Sequence, residues 1–282
     1  MSKDGKFQTV VKPKSKWFDL RLKEVFKYRD LIGLFVRRDF VAGYKQTVLG
    51  PLWAIIQPLL TSGMFTLVFG KIANLAPVGV PTFTFFYLAT VLWHFFANTL
   101  KKTSGTFIAN SSILGKVYFP RLVMPISSTL SNLVSFAIQF MLFIGLFLYS
   151  LFFGEGVMPN CFAFLLPLIL LQTALLGLGV GMIICACTTK YRDLAMLVGF
   201  GTQLWMYASP VVYDFSVVPN ALKDIYMLNP LAPVINNLRF GFLGIGNFDL
   251  KYTLISWVVT LFLLFIGLIS FNKAEKTFAD TV

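Results

Sequence analysis

Residues 122–153 read LVMPISSTLSNLVSFAIQFMLFIGLFLYSLFF, a run of 32 residues that contains no charged side chain. A helix of about 20 apolar residues is long enough to cross the roughly 30 Å hydrocarbon core of a bilayer. Of the 282 residues in the chain, 57% are hydrophobic and 13% are charged, whereas soluble domains carry about 25% charged residues. The composition therefore excludes a water-soluble globule and indicates an integral membrane protein.

Five further uncharged runs have a similar character. The sequence thus predicts an all-α integral membrane protein with six transmembrane helices within residues 48–272. A charged N-terminal segment, residues 1–47, precedes this domain, and a short tail, residues 273–282, follows it. The predicted spans are residues 48–69, 83–100, 122–153, 162–189, 194–213 and 252–272.

The distribution of basic residues predicts the orientation. With both termini on one side, 20 of the 24 Lys and Arg residues fall on that side, mainly in residues 1–47 and 101–121. Cytoplasmic segments of membrane proteins carry an excess of Lys and Arg. We therefore expect both termini in the cytoplasm. The net charge of +12 is then an orientation signal, in part matched to anionic lipid headgroups, and not a nucleic-acid-binding surface.

The predicted spans contain no Asp, Glu, Lys or Arg. Ion-coupled transporters usually keep such residues near the middle of the membrane, so we expect the driving energy to come from another source. His94 is expected to be a hydrogen-bonded packing residue and not a proton relay. Gly177 and Gly181 are expected to allow close helix packing, since no P-loop sequence accompanies them. The three cysteines lack metal-ligand spacing and are interpreted as packing residues.

Three connecting segments carry further patterns. Residues 18–40 place apolar side chains at helical spacing among basic ones, which predicts an amphipathic helix at the membrane surface. This helix is either a simple anchor or a docking surface for a cytoplasmic partner. Residues 214–251 are too interrupted by Pro and Gly to span and too apolar for a free loop. They predict two short helices that dip back into the outer leaflet as a lid.

The loop of residues 101–121 contains four basic residues and no acidic one. Asn110, Ser111 and Ser112 are possible N-caps of a short helix that continues to Lys116, before Pro120. A short helix that presents Ile113 and Leu114 suits insertion into a groove of a partner. The alternative is a plain connecting loop.

Five motifs occur in order along the chain: GYKQTVLGPLWAIIQPLL (43–60), VYFPRLVMP (117–125), KYRDL (190–194), SPVVY (209–213) and NPLAPVINNLR (229–239). This series resembles the membrane subunit of type-2 ABC exporters, which carry O-antigen, capsular polysaccharide or teichoic acid. The resemblance implies a homodimeric permease in the bacterial inner membrane with two ATPase subunits on its cytoplasmic face. It implies lipid-linked polysaccharide as the substrate. ATP and Mg would be bound by the partner ATPase, and no catalytic residue, metal or cofactor is expected in this chain.

The resemblance also assigns roles to residues. The short helix after the second span becomes the coupling helix, and its candidates are Asn110, Ser111, Ile113, Leu114 and Lys116. The first and fifth spans line the pathway, where aromatic faces stack on sugars; the candidates are Trp53, Gln57, Phe65, Phe69, Gln203, Trp205 and Tyr207. Candidates for the cytoplasmic entrance are Lys45, Arg121 and Arg192, and candidates for the outer gate are Asn229, Pro230 and Arg239.

Two alternatives remain open on the sequence alone. The same architecture serves exporters of teichoic acid or of small molecules. An integral-membrane transferase is a different class and requires an acid/base pair or a metal site at one membrane face. The acidic residues on the predicted outer side, Glu155, Asp214, Asp224 and Asp249, are scattered among separate loop positions, which argues against this class.

Overall fold

The computed structural model describes residues 22–45, 49–114, 116–117, 119–153, 157–191 and 193–281. In these residues the chain is all-helical, without a β-strand. The α-helices of this part are α1 (Leu22–Lys27), α2 (Arg29–Tyr44), α3 (Trp53–Phe65), α4 (Thr82–Ser104), α5 (Thr106–Ala109), α6 (Ser111–Leu114), α7 (Val123–Phe152), α8 (Leu166–Lys190), α9 (Leu194–Tyr207), α10 (Lys223–Tyr226), α11 (Leu231–Leu243) and α12 (Leu250–Thr281). Helix α3 continues as a π-helix, Thr66–Ile72, and a 3-10 turn, Cys161–Leu165, leads into α8.

Five helical segments are long and apolar enough to cross a membrane: Trp53–Ile72, Thr82–Ser104, Val123–Phe152, Cys161–Lys190 and Leu250–Glu275. They coincide with five of the six predicted spans, which are thereby confirmed as long apolar helices. We call the end of the bundle that carries residues 101–121 the basic end and the opposite one the far end.

The sixth predicted span, residues 194–213, has a different form. Helix α9 ends at Tyr207 and a turn follows, so its 14 residues cover about 21 Å, less than the roughly 30 Å of a hydrocarbon core. Helix α8 reaches the basic end, where the Thr188 hydroxyl donates to the carbonyl of Ser104 at 3.0 Å. The chain then returns to the far end through α9. That α9 and its turn together span the membrane stays a prediction.

Helix α4 is the centre of the bundle. In its most apolar stretch 83% of the residues are buried, against 22–50% in the other long helices. It packs against α3, α7, α8 and α9. Aromatic rings make part of these contacts. The ring centroids of Phe86 and Phe65 of α3 are 6.4 Å apart, and those of Phe95 and Phe136 of α7 are 5.6 Å apart. The position of α4 therefore sets the position of the helices around it.

Glycines bring α8 close to two neighbours. A Cβ at Gly177 would lie 3.0 Å from the Thr99 side chain of α4, and one at Gly181 would lie 2.6 Å from Thr103. This confirms the predicted close packing. Gly179 faces the other way, and its Cβ would lie 2.7 Å from the backbone nitrogen of Leu264 in α12. Helices α8 and α12 are therefore in direct backbone contact.

The connection of residues 214–251 lies at the far end and contains the short helices α10 and α11. Twelve of the 13 residues of α11 are buried, and the helix is enclosed by α4, α8, α12 and the 161–165 turn. The two short helices that the sequence predicts are present. Their insertion into a membrane leaflet stays a prediction.

Candidate functional site

Helices α3 and α9 each leave one side exposed along their length. Trp53 and Gln57 are exposed on α3, and Gln203 and Tyr207 are exposed on α9. Four of the seven predicted channel residues are therefore accessible from outside the chain. The other exposed side chains on these two sides are mainly apolar and include Leu60, Met64, Leu67, Met196, Phe200 and Leu204.

The exposed glutamines distinguish these sides from the rest of the bundle. A carboxamide in hydrocarbon without a hydrogen-bond partner is costly. The exposed middle parts of α7 and α12 are apolar instead, with side chains such as Met141, Leu148, Leu254, Val258 and Phe262. The sides of α3 and α9 are thus better suited to water or to another polypeptide than to lipid tails.

The other channel candidates pack within the chain. Phe65 is 8% exposed and its ring lies 5.7 Å from that of Phe69. The Trp205 ring meets Phe96 of α4 edge to face at 5.1 Å. The Phe65 side chain packs α3 against α4, and its predicted role in a pathway stays a prediction. Phe69 and Trp205 are half-buried, and their role in a pathway stays a prediction.

Helix α4 adds polar groups that sequence reasoning missed. Asn98 is exposed, half-buried His94 lies one turn before it, and exposed Lys101 lies one turn after it. In the described part of the chain no residue forms a hydrogen bond with the His94 ring, and its interpretation as a hydrogen-bonded packing residue stays a prediction. The sequence signal for these residues is their spacing, because positions i, i+4 and i+7 lie on the same side of a helix. We call the exposed set Trp53, Gln57, Asn98, Gln203 and Tyr207 the open face, since α4 contacts both α3 and α9.

An apolar cluster closes the basic end. It joins α1, α2, the 101–121 loop, α7, α8 and α12 through side chains that include Val25, Phe35, Phe107, Leu114, Phe119 and Phe271. Phe35 of α2 contacts Phe119 at 5.8 Å, and the Arg38 guanidinium lies 4.6 Å from the centre of the Phe35 ring. Arg38 also binds Asp39 at 2.7 Å and contacts Asn110 of the loop at 3.5 Å. The N-terminal helices thus support the loop.

The opposite side of these helices faces outward. Phe26 and Leu34 are 79% and 63% exposed, and Arg29 and Arg37 are also exposed. The predicted apolar positions Val25, Ile32 and Phe35 instead pack into the cluster at the basic end, over described residues that begin at residue 22. A position of the helix in a membrane interface stays a prediction.

The predicted coupling helix is shorter than the sequence suggests. Helix α6 has four residues, and Asn110 separates it from α5, with its side-chain amide donating back to the carbonyl of Thr106 at 3.0 Å. Lys116 lies in a turn beyond this helix and is exposed.

Burial decides which residues of this loop a partner can reach. Leu114 is 8% exposed and packs into the cluster at the basic end, and Ile113 is half-buried. Leu114 is therefore not exposed on the single chain, and its predicted entry into a partner groove stays a prediction. Of the described residues between 110 and 116, the exposed ones are Ser111, Ser112 and Lys116.

The entrance candidates differ among themselves. Lys45 is exposed at the end of α2. Arg121 is only 16% exposed; it donates to the carbonyl of Glu275 at 2.8 Å and lies 3.8 Å from the Glu275 carboxylate. Arg121 thus links the loop to α12, and Lys45 is the accessible candidate. Arg192 lies outside the described residues.

At the far end, Asn229 joins the end of α9 to the start of α11. Its side-chain oxygen accepts from the Trp205 indole at 3.0 Å and from the Leu231 backbone at 3.2 Å. Its amide nitrogen donates to the Ala208 carbonyl at 3.0 Å and to the Ser209 hydroxyl at 2.9 Å. All four hydrogen-bonding positions of the carboxamide are used. The motifs at 209–213 and 229–239 therefore meet in space.

Arg239 makes the second link between these motifs. Its guanidinium donates to the carbonyls of Pro210 at 2.6 Å, Val211 at 3.0 Å and Tyr213 at 3.0 Å. It also lies 3.6 Å above the Phe85 ring of α4. Burial lowers the pKa of Arg239 to about 9, an effect that nearby Asp214 opposes, so the group is charged at neutral pH. We call Asn229, Arg239 and the 208–213 turn the far-end clamp.

The third gate candidate, Pro230, belongs to a hydrogen-bond chain that sequence reasoning missed. The Ser256 hydroxyl of α12 donates to the Pro230 carbonyl at 2.6 Å and accepts from Gln172 of α8 at 2.6 Å. Asn237 of α11 donates to the Thr253 hydroxyl of α12 at 2.9 Å. Buried polar residues in apolar helices were the available signal. The gate candidates thus fix α11 to α8, α9 and α12.

The described residues contain no group of three His, Cys, Asp or Glu side chains placed to hold a metal ion. Cys185 is buried, and Cys161 and Cys187 are exposed thiols. Of the acidic residues predicted on the outer side, Glu155 lies outside the described residues, and Asp214 and Asp224 make local contacts. Asp214 caps a turn through Ser216, and Asp224 accepts from the Tyr252 hydroxyl.

Comparison with known proteins places residues 30–243 in the family model of the ABC-2 type transporter. The chain is 30% identical to the O-antigen export system permease protein RfbA of Klebsiella pneumoniae over 253 residues, 89% of this chain and 94% of the relative. The Myxococcus xanthus protein of the same name is 26% identical, with 93% and 98% covered. The capsule polysaccharide export inner-membrane protein CtrC of Neisseria meningitidis is 21% identical, with 88% and 92% covered.

Proposed function

Because the chain belongs to the ABC-2 type transporter family, we propose that it is the permease subunit of an ATP-driven polysaccharide exporter in the bacterial inner membrane. Near-full-length similarity to permeases named for O-antigen and capsule export supports this substrate class. The structural observation that carries the proposal is the open face, where amides and aromatic rings lie on helices of an otherwise apolar bundle.

The chemistry of the open face suits a sugar polymer. Trp53 and Tyr207 offer aromatic faces to the C–H faces of sugar rings, and Gln57, Asn98 and Gln203 offer amide donors and acceptors to hydroxyl groups. None of these five side chains is charged. A long polymer then makes many weak contacts that form and break as it slides. A small-molecule or teichoic-acid exporter is the alternative with the same architecture.

We propose that two copies of the chain enclose the pathway. Amide side chains on a membrane-spanning helix usually face a partner helix or a water-filled cavity. In a homodimer, the α3 and α9 sides of one copy face those of its partner, and the polymer passes between them.

The proposed energy source is a separate ATPase subunit, present in two copies, which binds ATP and Mg. Its docking surface on this chain consists of Ser111, Ser112 and Lys116, which the cluster at the basic end supports from below. Both termini and the basic end then lie in the cytoplasm, in accordance with the excess of Lys and Arg there. Helix α9 with its turn completes six crossings, and α11 is a re-entrant helix at the periplasmic face.

Purification of the chain from its native host tests the pairing with an ATPase. The proposal expects a P-loop ATPase to be recovered in equal amount with the permease, and a Lys116→Glu variant to recover less of it. Recovery of the permease alone, with transferase activity, would support an enzyme instead.

A further inference from the structure

Helix α12 contacts the loop of residues 101–121 at the basic end. The rings of Phe271 and Phe107 are stacked, with centroids 4.7 Å apart and an interplanar angle of 19°. Both side chains are fully buried. One turn further on, the Glu275 carbonyl accepts from Arg121 at 2.8 Å. The loop that presents Ser111 and Lys116 therefore rests directly on α12.

The other end of α12 holds the far-end segment. Thr253 accepts from Asn237 of α11, and Ser256 donates to the carbonyl of Pro230, the residue that precedes α11. Thr253 and Glu275 are 22 residues apart, which corresponds to about 33 Å along a helix. These contacts thus join the two faces of the bundle through one element.

Helix α12 is continuous and packs backbone against backbone on α8. It has no internal proline, and its backbone touches that of α8 at Gly179 and Leu264. Helix α3, by contrast, contains Pro58 and changes to π-helical geometry after Phe65. Helix α9 is exposed on most sides between Leu194 and Gly201. Helix α12 makes side-chain contacts at both ends of the bundle, with Phe107 and Arg121 at one end and with Asn237 and Pro230 at the other.

We propose that α12, packed on α8, transmits movement of the 101–121 loop to α11 and the far-end clamp. The inference rests on the proposed function, since it takes the loop as the part that an ATPase moves. A displacement of Phe107 displaces Phe271, and the helix carries it to Thr253 and Ser256. Helix α11 follows, and through Asn229 and Arg239 it repositions the end of α9. In this route the movement reaches the open face through α12 and α11, two helices that contribute no residue to that face.

The test uses the complex of the chain with its ATPase in lipid nanodiscs. Hydrogen exchange of residues 229–243 is measured with and without ATP, together with ATP hydrolysis. Phe271→Leu keeps an apolar side chain and removes the ring stack, and Arg121→Gln removes the charged link. Phe262→Leu is the matched control, because Phe262 lies on the same helix and is 61% exposed.

We expect the ATP-dependent change in exchange at residues 229–243 to fall at least about fivefold in Phe271→Leu and Arg121→Gln, the lower range for coupling between sites. In both variants, ATPase binding and ATP hydrolysis should stay within about twofold of the unaltered complex. For the control Phe262→Leu, the change in hydrogen exchange, ATPase binding and ATP hydrolysis should all stay within the same limit. An undiminished change in Phe271→Leu would overturn the inference. So would an unaltered complex in which ATP leaves residues 229–243 unchanged.

A second variant, at the far end of α12, keeps the test decisive if Phe271→Leu also weakens ATPase binding. Thr253→Val removes the acceptor for Asn237 without touching the loop, and Thr260→Val is its control, since the Thr260 hydroxyl bonds within α12. We expect Thr253→Val to keep the ATP-dependent change at residues 268–275 and lose it at residues 229–243. Retention at both ends would refute the route through α12. Absence of any ATPase from the unaltered complex would instead contradict the proposed function, and with it the inference.

Discussion

The side chains of Trp205 and Asn229 form a hydrogen bond of 3.0 Å between the end of α9 and the start of α11. Asn229 belongs to the long connection that the sequence marks as a lid, whereas Trp205 belongs to a helix of the proposed pathway. The bond means that the two do not move independently. Together with Arg239, it attaches the end of α9 to the far-end segment.

Replacement of Asn229 tests this support. Asn229→Leu leaves the Trp205 N–H and the Leu231 N–H without their acceptor, and each buried polar group left unpaired costs about 1–3 kcal/mol. We expect a lower midpoint of thermal unfolding in detergent. Asn247→Leu, at an exposed asparagine of the same segment, should leave the midpoint within error. Equal midpoints for the two variants would contradict the clamp.

Arg239 should not tolerate lysine. A single ammonium cannot reach three carbonyls at once and stack on the Phe85 ring, whereas a planar guanidinium does both. We expect Arg239→Lys to unfold at lower temperature and to expose residues 208–213 to hydrogen exchange. Arg29→Lys is the control, because Arg29 is exposed and its pairing with Asp30 is long, at 3.9 Å. Unchanged exchange at residues 208–213 would show that the charge alone suffices.

The backbone contact between α8 and α12 gives a third prediction. In Gly179→Ala the new methyl group meets the Leu264 backbone at 2.7 Å, and a backbone cannot give way as a side chain can. Overpacking of this kind costs about 1–3 kcal/mol. Gly145→Ala on α7 places its methyl group in open space. Thermal unfolding should separate the two variants, and a Gly179→Ala protein as stable as Gly145→Ala would be inconsistent with the contact.

Two substitutions in the 101–121 loop should have opposite effects. Leu114→Asp puts a carboxylate into the buried cluster at the basic end, so we expect a destabilised chain that expresses poorly. Lys116→Glu changes an exposed residue, so we expect normal stability and reduced recovery of the ATPase. Melting curves and copurification distinguish the two. A stable Leu114→Asp chain that loses only the ATPase would restore Leu114 to the docking surface.

Much of the bundle follows from the sequence, because uncharged runs such as residues 122–153 have one stable form in a membrane. Close packing at Gly177 and Gly181 was predictable for the same reason, since small residues let helix backbones approach. The length of α9 was not, because residues 208–213 are as apolar as a helix and form a turn that Arg239 holds from a distance in the chain.

The candidate site likewise contains residues that the sequence predicts and residues that it does not. Gln57 and Gln203 were predictable as amides in apolar runs, but Phe65 and Leu114 could not be separated from accessible residues by type alone. Each is buried by a neighbour far along the chain, Phe86 for Phe65 and the cluster with Val25 for Leu114. Asn98 is exposed on α4, although α4 is the most buried of the five long apolar helices. Its exposure depends on how α3 and α9 sit against α4, which single-helix patterns do not contain.

The central claim is that this chain exports a lipid-linked polysaccharide. The most direct measurement compares a host lacking the chain with the same host carrying it, by quantifying surface polysaccharide and lipid-linked polymer inside the cell. We predict that loss of the chain removes the surface polymer and traps lipid-linked polymer in the cytoplasm, and that the restored chain reverses both. Normal surface polysaccharide in the host without the chain, with no polymer accumulated inside, would contradict the account.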